Sequence, residues 1–304
     1  MVGNDHSRRL IKIVASVLIV GLSAACSSDG GVSEAPPDIG AVGVVTDASQ
    51  ISLPLDAYHM SVEEDLMLQQ AEWELAVRCM ARFGVQYEAP AQLYAGASVI
   101  NHSRRYGLLD LESAQAWGYH GGDPAAQRER QADRLAEDRA REQSEAVEEL
   151  LTGPLDPGAE LPAGVPDGGC LGEARGTLVN GVEYNEGLVF DLAAQASFLA
   201  EQDGRVQGAF GAWSDCMEAA GFAYQSPWEA NNDQWAEEEV TERERAVATA
   251  DVRCKHETNL VGVWTAVDAA YQQRLIDRYA EQLTDLRQAR AAVLANAAAV
   301  VSGT

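Results

Sequence analysis

Residues 79–90 read CMARFGVQYEAP, and residues 216–227 read CMEAAGFAYQSP. Both follow the pattern C-M-x3-G-apolar-x-Y-x2-P, so the chain carries an internal repeat. Upstream of the first copy, Trp73, Ala76, Met80 and Phe83 recur at spacings of three and four. Val206, Phe210, Trp213, Met217 and Ala220 do the same around the second. Such stripes mark one face of a helix turned to a core. They read as packing rather than as a cofactor box. Gly84 and Gly221 stand where a helix ends in a left-handed residue, a position glycine fills without a Cβ clash. Ser61 with Glu64 forms a capping box, so the first helix is predicted to run from there to about Phe83.

A second likeness follows each copy. Asp167-x2-Cys170-x2-Glu173 matches Asp251-x2-Cys254-x2-Glu257. Apart from Cys26, the cysteines are Cys79, Cys170, Cys216 and Cys254, an even number in a chain that reads as exported. Two disulfides are therefore expected. Four cysteines allow three connectivities. The repeat favours pairing within each half, Cys79 with Cys170 and Cys216 with Cys254. The alternative pairs equivalent cysteines across the halves.

Between the repeats lies a long insertion. Asp110 can cap a helix over 111–117 that Gly118 ends, and Asp123 with Pro124 can start another. From 125 to 151 the chain is rich in Arg, Glu and Ala, which predicts a solvated, weakly packed helix. Residues 153–169 form a Pro/Gly loop. After 237, Trp264, Val267, Tyr271, Leu275, Tyr279, Leu283, Leu286 and Val293 recur close to the helical period with few breakers. One long packed helix, or two in series, is expected there. No alternation of strands and helices is visible. The fold class is mainly α, an irregular helical bundle of two related disulfide-clipped halves, 59–182 and 183–304.

The N-terminus places this body. Arg8, Arg9 and Lys12 precede a largely apolar run from 13 to 25, too short for the roughly 20 residues of a membrane span. It reads as a signal peptide. Leu22-Ser23-Ala24-Ala25-Cys26 resembles a bacterial lipobox, in which the thiol receives a diacylglyceryl group and cleavage follows on its N-terminal side. Two acyl chains hold a protein where one is marginal. Residues 26–58, rich in Ser, Gly, Pro and acid, fit a tether of about 30 Å root-mean-square span. In the other reading, Ile51, Leu53 and Leu55 pack as an arm on the body. Cleavage removes three cations and one acid, taking the formal charge from −25 to −27. That balance argues against nucleic acid, which needs a basic face, and against electrostatic docking on anionic lipid.

The lipobox, the paired C-M-x3-G-x2-Y elements and the stretch from Arg104-Arg105-Tyr106-Gly107 to Gly118-Tyr119-His120 resemble a family of actinobacterial predicted lipoproteins. The resemblance spans most of the mature chain. It implies location and fold, and it brings no catalytic residue.

Chemistry-bearing motifs are absent: no Gly-rich phosphate loop, no H-E-x-x-H, no G-x-S-x-G, no C-x2-C pair and no calcium loop. No cofactor or metal is implied. One cluster stands out in the acidic chain. His102, Arg104, Arg105 and Tyr106 precede Trp117, Tyr119 and His120, and such donors and stacking faces suit a carboxylate- or sugar-bearing ligand. The competing reading pairs the arginines with the chain's own acids and packs the aromatics under the insertion. His256 reads as a helix-surface residue and His59 as a linker residue. The expected function is a non-enzymatic, membrane-anchored envelope module binding a protein or cell-wall partner. An envelope hydrolase with its site in 101–123 is the alternative. A small-ligand receptor would need an apolar cavity between the halves.

Overall fold

A computed structural model describes residues 35–303, apart from 92, 95, 97–99, 141–144, 155–162, 186 and 237–238. The segment read above as a signal peptide, and Cys26, lie outside the described residues. Eleven α-helices and no strand occur among those described. They are α1 (Val62–Arg82), α2 (Leu111–Trp117), α3 (Pro124–Ala140), α4 (Glu145–Thr152), α5 (Gly169–Val179), α6 (Gly187–Gln202), α7 (Gly204–Ala219), α8 (Pro227–Asn231), α9 (Glu242–Thr258), α10 (Leu260–Arg278) and α11 (Ala280–Ser302). The fold is mainly α, and none of these helices is long and apolar enough to cross a membrane.

The repeat is a helix terminator. Gly84 and Gly221 have φ of +77° and +92°. The Val85 N–H donates to the Met80 carbonyl at 3.1 Å, and the Phe222 N–H to the Met217 carbonyl at 2.9 Å. These six-to-one bonds, with the apolar residue after glycine packed near the methionine's cluster, form a Schellman cap. The pattern C-M-x3-G-apolar thus encodes its own stop. Ser61 and Glu64 cap the start of α1 reciprocally, as their spacing predicts.

Both bridges form within halves. Cys79 joins Cys170 with Cα atoms 5.5 Å apart, and Cys216 joins Cys254 at 5.7 Å. Each closes a loop long enough to stabilise by about 4–5 kcal/mol in the chain-entropy account. The halves have diverged around them. Cys170 sits at the start of α5, whereas Cys254 lies just before the last turn of α9. Asp251 is fully buried but Asp167 is exposed.

The main core lies among α6, α7, α9 and α10, around Trp213, Met217, Val252, Trp264 and Val267. A smaller core of Ala76, Met80, Leu150, Leu151 and Ala174 surrounds the first disulfide. Helix α11 joins the two regions. Its Leu283 and Leu286 belong to the main core, and its Val293 and Ala297 pack with Ala71 and Leu178. The described part of α3 is exposed over 128–136, as its charge pattern predicts.

Three features depart from the sequence reading. The stretch 125–151, read as one solvated helix, is two helices, and α4 buries Leu150 and Leu151 in the smaller core because its apolar residues face the first disulfide. The long C-terminal stretch is three helices, not one or two. Asn259 breaks it in the left-handed region at φ +50°, which asparagine tolerates better than most residues, and Tyr279 breaks it again. Residues 37–58 are also laid on the body. Val45, Ile51, Leu53 and Leu55 are buried. Asn259 donates to the Gly43 carbonyl and accepts from the Val45 N–H. The same asparagine that ends α9 therefore holds the arm.

Candidate functional site

The segment from 101 to 120 passes over α9 and α10, and buried side chains from those helices hold it. Glu244, Asp251 and Lys255 are spaced seven and four apart on α9, so they share one face. Asp268 and Gln272 lie one turn apart on α10. All five are at most 1% exposed. Burying such groups is costly unless each finds a partner.

Asp268 holds the first end of the segment. Arg105 Nε donates to Asp268 Oδ2 at 2.9 Å, and Arg105 Nη2 lies 2.8 Å from the same oxygen, close enough for charge pairing without hydrogen-bond alignment. The Tyr106 hydroxyl donates to that oxygen at 2.8 Å, and Gln272 Nε2 donates to Oδ1 at 3.0 Å. Further along, Lys255 Nζ donates to the Leu108 carbonyl at 3.0 Å and to Asp251 Oδ2 at 2.8 Å. His256 Nε2 bonds the Leu109 carbonyl at 3.1 Å, so this histidine helps hold the segment.

The second end is held by Asp251 and Glu244. The Tyr119 hydroxyl donates to Asp251 Oδ2 at 3.2 Å, while the Trp213 indole donates to Oδ1 at 3.0 Å. Glu244 Oε1 accepts from the Tyr119 N–H and from His120 Nδ1, both at 2.8 Å. Gly118 makes this possible. Its φ of +55° favours glycine, and a Cβ there would collide with the Glu244 carboxylate. Arg104 donates to the Tyr119 carbonyl at 2.9 Å, tying the two ends of the segment together. Tyr119 also stacks on Trp235 at 5.6 Å. Trp117 ends α2, half-buried.

Electrostatics follow from burial. Desolvation pushes the Asp251 carboxyl pKa up, and Lys255, Trp213 and Tyr119 only partly offset it. The Tyr106 and Tyr119 phenols rise above their ordinary value, first through burial and then through the neighbouring carboxylates. Burial, the largest influence, works to lower the Arg105 pKa, but Asp268 and Tyr106 together outweigh it and the net direction is upward.

Arg105, Tyr106, Tyr119 and His120 are thus brought together as a clamp between the insertion and the second half. His102 lies apart. Its Nε2 is 3.0 Å from both oxygens of Asp56, at the edge of a cavity of about 500 Å³ that Ser49 and Ser103 also line. Burial works to raise the Asp56 pKa, but hydrogen bonds from His102 and the Leu53 N–H bring it below the ordinary value. His59 packs edge-on against Phe190 at 5.0 Å. A groove of about 830 Å³ runs beside the second disulfide, lined by Gln115, Arg245, Arg253 and Glu257 among others. Among the described residues, no three His, Cys, Asp or Glu side chains are grouped to hold a metal.

Of the carboxylates that hold the cluster, only Asp251 is named from sequence, as part of the repeated Asp-x2-Cys-x2-Glu element, and Glu244 and Asp268 are passed over. Their signal was present: Trp264, Asp268 and Gln272 recur every four residues, so a carboxylate sits inside a buried stripe. Comparisons with protein-family models, curated proteins and solved structures find no match to this chain.

Proposed function

We propose that this protein is an extracytoplasmic lipoprotein, anchored through Cys26, whose helical body binds a partner in the cell envelope and carries out no chemistry itself. The supporting observation is that both disulfides form in the body that follows a lipobox-like segment. Such bridges persist in oxidising compartments. The non-catalytic part of the reading draws on the clamp, because the donors of Arg105, Tyr106 and His120 are spent on internal carboxylates.

The test compares wild type with Cys26→Ser in cells fed a labelled fatty acid. Wild type should carry label, partition with membranes and react with a thiol alkylator only after reduction. Cys26→Ser should lose label and either appear in the medium or stay as precursor. Unchanged fractionation of the variant refutes anchoring through Cys26.

The hydrolase reading keeps one specific observation, the His102–Asp56 pair beside a serine-lined cavity. It requires labelling by a serine-directed fluorophosphonate that His102→Ala abolishes.

A further inference from the structure

The repeat contributes a tyrosine to a surface cleft in each half. In the first, Tyr87 lies beside Trp73 of α1, with ring centroids 6.0 Å apart and planes only 6° from parallel. Inserting a third ring between two others needs two contacts of about 3.5 Å, or roughly 7 Å. The pair is therefore an offset ledge and not a slot. Its inner side packs on the smaller core, while its outer side lines a cleft of about 510 Å³. Gln70, Glu74 and Arg78 follow one another at four-residue steps along the cleft wall. Gln70 Nε2 donates to Glu74 Oε1 at 3.2 Å, and Arg78 donates to Glu74 Oε2 at 3.2 Å.

In the second half, Tyr224 and Trp228 line a cleft of about 570 Å³ with Glu229, Asn232, Asp233 and Gln234. The Tyr224 hydroxyl donates to Asp233 Oδ2 at 2.6 Å and accepts from Arg243 at 3.2 Å. Burial and that carboxylate push the phenol up to about 12, so it remains a neutral donor. Each cleft thus combines a tyrosine, a tryptophan, a carboxylate and a side-chain amide. Both volumes fall in the range of small-ligand sites.

We infer that these two clefts bind a neutral polysaccharide of the cell envelope, a sugar ring laying its apolar face on the Trp73–Tyr87 ledge of the first or against the Tyr224 and Trp228 side chains that line the second, with its hydroxyls against the amide and carboxylate edge. Three features favour this occupant. Flat aromatic surface bordered by planar hydrogen-bonding groups matches a molecule with apolar faces and a polar rim. The duplication of the cleft suits a polymer of repeated units, since two linked sites gain avidity on one chain. The formal charge, −25 for the full sequence and −27 for the processed chain, repels polyanions such as polyuronates and leaves uncharged glycans. The inference rests on the envelope location proposed above and names the partner class.

The test titrates the purified, processed full chain in detergent with chitohexaose and with arabinogalactan, read by tryptophan fluorescence. Polygalacturonate and a proline-rich peptide are run alongside. At least one neutral glycan should bind, saturably and at two sites. Trp73→Ala should remove one site. The exposed pairs Gln70→Ala/Glu74→Ala and Asn232→Ala/Gln234→Ala should each weaken one site tenfold or more with unchanged circular dichroism. Binding by neither neutral glycan overturns the inference, as does binding that survives both exposed pairs. Stronger binding of the polyuronate or the peptide also overturns it. A membrane-bound protein that ignores glycan refutes only this inference. A glycan-binding protein found free of the membrane refutes only the anchor.

Discussion

Replacing Arg105 by methionine separates a structural clamp from a ligand-facing cluster. The substitution keeps the aliphatic stem and removes the guanidinium. Arg105 is 16% exposed at its side chain and Asp268 is fully buried. Removing one partner of a buried pair typically costs about 3–5 kcal/mol, because the remaining charge is stranded. Here Asp268 keeps the Tyr106 hydroxyl and the Gln272 amide, so the lower end, about 3 kcal/mol, is expected. For a chain this long that corresponds to a fall in Tm of roughly 6–12 °C. Urea denaturation with the disulfides intact measures the loss directly. Arg105→Met/Asp268→Asn should recover part of it, since no charge is then left unpaired and the amide oxygen still accepts from the Tyr106 hydroxyl. A loss of at most about 0.5 kcal/mol for the single variant, the level of an ordinary surface change, refutes the clamp.

Two glycine substitutions should differ sharply. Gly221→Ala adds a Cβ to open space and meets only the positive φ, so a cost of about 1 kcal/mol is expected. Gly118→Ala drives its Cβ into the Glu244 carboxylate and should cost 3 kcal/mol or more, read by thermal melting of the two variants side by side; equal costs refute the fixed position of Glu244. Alkaline titration followed at 295 nm should show Tyr106 and Tyr119 silent while the fold persists. Their native pKa values are raised, so the stability they contribute is full below pH 10 and is lost as pH climbs above it. All nine tyrosines ionising together near pH 10, with native circular dichroism, is the contrary result.

Local chemistry made much of this fold legible in the sequence. The Schellman stop after Met80 and Met217 involves residues within six positions of one another, and the Ser61–Glu64 box spans four. Asp110 caps α2 through the Ser113 N–H, also within one turn. Duplication of those short signals favoured the disulfide pairing that the structure contains, although spacing alone left three choices.

What the sequence left open required contacts between distant segments. Arg105 meets Asp268 across 163 positions, and His120 meets Glu244 across 124. Carboxylates are abundant in this chain, so composition offers no means of choosing which ones are buried. The break at Asn259 and the docking of residues 37–58 meet at one residue, whose backbone takes the left-handed turn while its side chain bonds the arm. A scan for glycine and proline passes over a left-handed asparagine, and it cannot see that the arm bonds there from more than 200 positions away. The sequence by itself determined a helical body, the helix ends set by local caps and a bias toward which cysteines meet, since those follow from neighbours along the chain. Only the tertiary structure decided that the arginine and aromatic cluster turns inward, because an unpartnered buried acid costs more than a solvated arginine gains.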